Sequence, residues 1–156
     1  MEYNRLIETI EQLLEKTKFA VLATSNKEGI VSACQMCLVN DGLILYFQTD
    51  KSFEKTKNIN VNPNVAINIG AYSFKGIAKI LDHPSKSDSF IKKIKEKHPQ
   101  TYTNYTNLPN EVLIKVELTD CKIWGGIDSK NIHNEDIVQI IDFRNKTAII
   151  ITCNKM

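Results

Sequence analysis

Leu6, Ile7, Ile10, Leu13 and Leu14 recur at helical spacing, and Glu8, Glu11 and Glu15 fall off that stripe. Residues 2–17 are therefore predicted as an amphipathic helix. Phe19 to Thr24 is a short apolar strand, followed by a polar turn from Ser25 to Gly29. Ile30 to Val39 is nearly continuous apolar sequence, the pattern expected of a strand buried on both faces. Asn40-Asp41-Gly42 supplies residues that tolerate positive φ in a hairpin turn. Leu43, Leu45 and Phe47 then alternate with Ile44, Tyr46 and Gln48. Past Gln48, Asp50 or Ser52 is a candidate cap for a helix reaching about Asn60, and Asn62-Pro63-Asn64 breaks it. Val65 to Ala71 and Phe74 to Leu81 are two more strands. Ser87 caps a helix with Phe90, Ile91 and Ile94 as its stripe, and residues 99–110 form a loop rich in Pro, Asn and Thr. Val112 to Leu118 is a strand, followed by another around Cys121 to Gly126. Val138 to Phe143 and Thr147 to Cys153 flank Arg144-Asn145-Lys146 as a terminal hairpin.

Six or more strands in this order, with helices around them, predict a mainly β fold with peripheral helices. An antiparallel barrel fits better than a doubly wound parallel sheet. No GxGxxG or phosphate-binding P-loop contradicts that. The 156 residues are expected to form one domain, 1–156, with its N-terminal helix at 2–17 and its C-terminal hairpin at about 137–153.

Composition narrows the function classes. A formal charge of +2 is too small for a nucleic-acid binder or a membrane-surface protein. No apolar run approaches the roughly 18 residues of a membrane span. The acidic, amphipathic start lacks the layout of a signal peptide, so a cytoplasmic protein is expected. The four cysteines, Cys34, Cys37, Cys121 and Cys153, are then reduced thiols. Cys34 and Cys37 make a CxxC, but inside a strand-like run. Residues three apart on a strand point to opposite faces, which argues against a shared metal or disulfide. His83, His98 and His133 make no metal-ligand spacing. Lys92, Lys93, Lys95 and Lys97 read as a solvated helix face, with an anion site as the alternative.

Four segments in order resemble the pyridoxamine 5′-phosphate oxidase-like family of split barrels that bind flavin mononucleotide (FMN). They are VLATSNKEG, YFQT followed by SFEKTKNINVNP, FKGIAKIL, and IWGG at Ile123 to Gly126. The resemblance covers roughly residues 5–127 and implies a homodimer with flavin at the subunit interface. Position by position, Cys34, Gln35, Met36 and Cys37, on a strand running to Val39, would lie along the flavin. Gln48 and Thr49 would meet the ribityl-phosphate chain. Lys55 matches the phosphate-binding lysine, and Trp124 a tryptophan near the ring, contributed by either subunit. The residues agree in part on their own chemistry. Thr49, Ser52 and Lys55, clustered where a helix begins, offer the hydroxyls, cation and backbone N–H groups that a phosphate wants.

The chain also departs from the family. Cys34 stands where an arginine is common, and Glu54 replaces an arginine that often precedes the lysine; Lys51 or Lys57 can compensate. The stretch IDSKNIH replaces the RLHDR that grips pyridoxal in true pyridoxamine phosphate oxidases. The resemblance thus implies an FMN-dependent oxidoreductase using a small-molecule electron donor or acceptor, not the vitamin B6 reaction. No catalytic side chain is assigned, because the cofactor carries the chemistry. The alternatives are a non-catalytic flavin-binding or stress-associated protein, a split barrel for deazaflavin or haem, and a structural barrel with an empty cleft.

Overall fold

The computed structural model describes residues 3–127 and 137–153. The first helix, α1 (Tyr3–Lys16), buries Leu6, Ile10 and Leu14 on one face. Each such side chain stabilises the fold by about 1.5–3 kcal/mol. Thr17 ends the helix by returning both its N–H and its hydroxyl to the Leu13 carbonyl, at 3.0 and 2.6 Å. Next, β1 (Phe19–Ser25) pairs antiparallel with β2 (Val31–Cys37). Asn26 organises the turn between them, its side-chain oxygen accepting from the N–H groups of Glu28 and Ile30. β3 (Val39–Asp41) and β4 (Ile44–Asp50) form a hairpin through Gly42, whose φ of +58° suits glycine. Then come α2 (Glu54–Val61), β5 (Asn64–Ile69), β6 (Tyr72–Ile80), α3 (Asp88–Lys97), β7 (Glu111–Trp124), β8 (Ile137–Asp142) and β9 (Thr147–Thr152). Among the described residues no helix is long and apolar enough to cross a membrane.

The strands form one antiparallel sheet in the order β2-β1-β5-β6-β7-β4-β3. The terminal hairpin continues it, with β8 pairing the far end of β7 and β9 pairing β8. The sheet curls around Leu22, Leu45, Phe47, Ile67, Phe74 and Ile114 until β2 touches β4. No ladder joins those two strands. That open seam makes this a split β-barrel, the antiparallel barrel that the strand pattern predicted in the split form that the resemblance implied.

Four local expectations change. The apolar run after Gly29 is not a strand buried on both faces. It divides into β2 and β3, and β2 is an edge whose outward residues are open: Val31 is 65% exposed. Continuous apolarity here marks a surface that a single chain leaves uncovered. Residues 99–110 are not simply a loop. Pro99–Thr101 is helical and a wider turn of helix, Tyr102–Thr106, follows. The two strands expected near residues 112–126 are one strand, β7, bent by a bulge: Lys75 faces Asp120 while Gly76 faces Leu118, leaving Thr119 extra. Finally, neither Asp50 nor Ser52 caps α2. Phe53 holds the cap position without a side-chain bond. Ser87 does cap α3, accepting from Phe90 N–H at 3.2 Å.

Candidate functional site

The seam between β2 and β4 opens into a cleft of about 260 Å³. β2 contributes Gln35, Met36 and Cys37, and β4 contributes Gln48, Thr49 and Asp50. Phe53 and Lys55 close one side from the start of α2. Thr101, Tyr105 and Glu111 close the other, from the helical segment before β7 and the first residue of β7. A smaller cleft of about 170 Å³ adjoins it, lined by Leu22, Thr24, Ser32, Ala33, Cys34, Glu54 and Lys55. Lys55 borders both.

Of the nine residues singled out from sequence, the fold brings seven to these clefts: Cys34, Gln35, Met36, Cys37, Gln48, Thr49 and Lys55. Ser52 is not among the lining residues. Its N–H and hydroxyl both donate to Asp50, at 2.8 and 2.7 Å, and hold the Asp50 carboxyl below the usual range. Trp124 is absent from the clefts as well. Thr49 faces Val112 across the ladder, and Trp124 lies twelve residues farther along β7, roughly 40 Å at the rise of a strand. The two cysteines part as expected: Cys34 contacts Met36 on one face, and Cys37 lies 3.5 Å from the Thr101 hydroxyl on the other. All four cysteines are free.

Polar groups in the larger cleft are held in place from behind. The fully buried Thr106 donates to Gln48 Oε1 at 2.8 Å, which leaves the Gln48 amide NH2 for the cleft. Lys55 Nζ lies 3.5 Å from the Thr49 hydroxyl and 5.1 Å above the Phe53 ring. It forms no ion pair among the described residues. Behind the smaller cleft, buried Asn58 on α2 donates to Thr24 at 3.0 Å and Ser32 at 3.4 Å, tying the helix to the β1–β2 hairpin. Against this lysine stand the carboxylates of Asp50, Glu54 and Glu111. Burial, and then the charge of Asp50, raises the Glu111 carboxyl above the ordinary range. Glu111 went unnoticed in the sequence, because only the β4–β7 register places it opposite Asp50.

Of the α3 lysines, Lys92 and Lys95 are exposed, as a solvated face would have them, but Lys93 and Lys97 serve another purpose. Lys93 donates to the Asn40 carbonyl and Lys97 to the Leu14 carbonyl, tethering α3 to the β3–β4 hairpin and to α1. Burial, with Lys18 nearby, pulls the Lys97 ammonium down to about 8. No cluster of metal-ligating side chains occurs among the described residues. His133 and most of the IDSKNIH stretch lie outside them.

A phosphorylated polyol such as the side chain of FMN fits this set of donors. Lys55 offers an unpaired cation, Thr49, Thr24 and Ser32 offer hydroxyls, and Gln48 offers an oriented amide. No curated protein matches the chain in sequence. A Listeria innocua protein provisionally assigned as a pyridoxamine 5′-phosphate oxidase shares its fold at 23% identity and a TM-score of 0.62, over 78% of this chain and 99% of that one. The haem storage protein HutZ of Vibrio cholerae does so at 16% identity and a TM-score of 0.59, over 76% and 91%. An F420 reductase aligns at 25% identity and a TM-score of 0.56, over 71% and 94%. The pattern of the pyridoxamine 5′-phosphate oxidase family matches residues 6–125, and the chain belongs to that family.

Proposed function

We propose that this protein is an FMN-binding oxidoreductase, acting as a homodimer on a small-molecule electron donor or acceptor other than a B6 vitamer. The observation that carries the reading is the pair of adjoining clefts along β2, with Lys55 at their junction. Phosphate would sit against Lys55 and the Thr49 hydroxyl, and the flavin would run along Cys34 to Cys37 towards Gln48. Bound FMN supplies hydride or electron transfer; this chain's residues bind it, orient it and exclude water. The dimer is supported by what a single chain leaves open. Phe19, Val21 and Val31 are exposed apolar residues on β1 and β2, and Trp124 is 54% exposed. From the far end of β7, Trp124 would meet flavin only across a subunit interface.

A second reading has one observation behind it. Three carboxylates around a single lysine disfavour a phosphate dianion, and solved relatives include an F420 reductase and a haem storage protein. The test is an absorption spectrum of the purified protein, repeated after incubation with FMN and desalting. Flavin bands that survive desalting support the proposal. A colourless sample after FMN, but a retained chromophore after F420 or haemin, would replace it with the second reading.

A further inference from the structure

Glu111 is the most demanding residue in the larger cleft. It is 8% exposed, yet its carboxylate makes no hydrogen bond or ion pair with the described residues. Neither oxygen is sealed in without a partner, so the group reaches the cleft that it lines. Its backbone is fixed. The N–H donates to the Leu108 carbonyl at 3.3 Å, and that same carbonyl accepts from His83 Nε2 at 2.8 Å. Its cross-strand neighbour Asp50 is already satisfied by Ser52. The charged or titratable groups facing it are Asp50 on β4, Lys55 on α2 and His83 after β6. A carboxylate at the mouth of a mostly buried side chain keeps only the water that the cleft admits, so a ligand that displaces that water must bring donors of its own.

We propose that Glu111 is the specificity-determining acceptor of this cleft, taking a hydrogen bond from an O–H or N–H donor of the bound ligand. Resting on the flavin reading above, this assigns it to a ribityl hydroxyl or the ring imide of FMN. The cleft then offers its ligand opposite charges on facing walls, a cation for the phosphate and an anion for the donors. The sign of the linkage follows. Donors stabilise the ionised carboxylate, so binding lowers the Glu111 carboxyl from its raised free value, and affinity falls as acid protonates it.

The test is a titration of FMN fluorescence quenching between pH 5 and pH 8, on the wild type and Glu111→Gln. The amide keeps the shape and removes the charge. The expected result is a dissociation constant about tenfold weaker for Glu111→Gln at pH 8, with the gap to the wild type narrowing as pH falls. A ratio that does not change with pH would assign Glu111 a structural role and overturn the proposal. So would tighter binding by Glu111→Gln at pH 8, which would make the carboxylate a source of phosphate repulsion. Should Glu111→Gln misfold, carbon-detected NMR of the Glu111 carboxyl in the wild type decides instead. Its titration must move downward when FMN is added; no movement, or movement upward, refutes the assignment. A wild type that binds no FMN at any pH removes the flavin reading and this proposal together. Loss of the Glu111 effect with binding intact removes only the proposal.

Discussion

Replacing Lys55 by alanine removes the only cation that lines the two clefts among the described residues. The side chain carries little of the fold. Its Nζ contacts are one long approach to the Thr49 hydroxyl and the face of Phe53, and the residue is half-buried. The folded state should therefore lose less than about 1 kcal/mol. Ligand binding is another matter. A hydrogen bond from a charged donor contributes about 1.5–3 kcal/mol net, which corresponds to about a 10- to 150-fold change in dissociation constant. Lys55→Ala should weaken FMN binding within that range, and Lys55→Arg, which keeps the charge, should lose only a few-fold. Fluorescence titration at fixed ionic strength gives the affinities, and a urea melt of each variant reports on the fold. A folded Lys55→Ala protein with wild-type affinity would refute the placement of phosphate at the junction of the clefts.

Three other perturbations test separate parts of the structure. Glu54 lines the smaller cleft, so Glu54→Arg replaces an anion with a cation there; it should tighten FMN binding about two- to tenfold in the same titration. At Gly76 a Cβ would stand 2.5 Å from Val116 Cγ1 and 2.9 Å from the Glu117 carbonyl oxygen, where β6 and β7 change register. Gly76→Ala should therefore cost about 1–3 kcal/mol in chemical denaturation. Buried His98 donates from Nε2 to the Leu38 carbonyl, and burial holds its imidazole below the ordinary 6.5. Its stabilising contribution is present above pH 6.5 and is lost as pH falls towards the depressed folded value. Urea melts across that window should show the loss in the wild type and a flatter profile in His98→Gln.

Much of this was legible in the sequence because local patterning carried it. The helical stripe of α1, the Asn40-Asp41-Gly42 turn and the Ser87 cap each depend on neighbours within a few residues. The β2 residues and Lys55 were found through short segments of family resemblance, and the fold brings them to adjoining clefts. What escaped notice depends on distant pairing. Glu111 joins Asp50 only through the β4–β7 ladder, and Thr101 and Tyr105 reach the cleft on a helical segment whose Pro, Asn and Thr content resembles a loop. Ser52 shows the limit of residue type as a guide. Its hydroxyl has the chemistry a phosphate wants, but Asp50, two residues away, already holds it. The misjudged strand, β2, failed for a related reason: an apolar run does not say whether its cover comes from the same chain.

The β4–β7 ladder also bears on the order in which the molecule is made. It joins residues roughly 60 to 70 positions apart, so its closure bears the loop entropy of everything between. Gln48, Thr49 and Lys55 leave the ribosome well before Glu111 arrives. A nascent chain that stops short of residue 111 has the Lys55 side of the cleft in its sequence but no opposite wall. Any ligand that needs both walls can therefore be held only at the end of synthesis. A ligand that binds only the closed seam pulls that slow, non-local step forward by mass action.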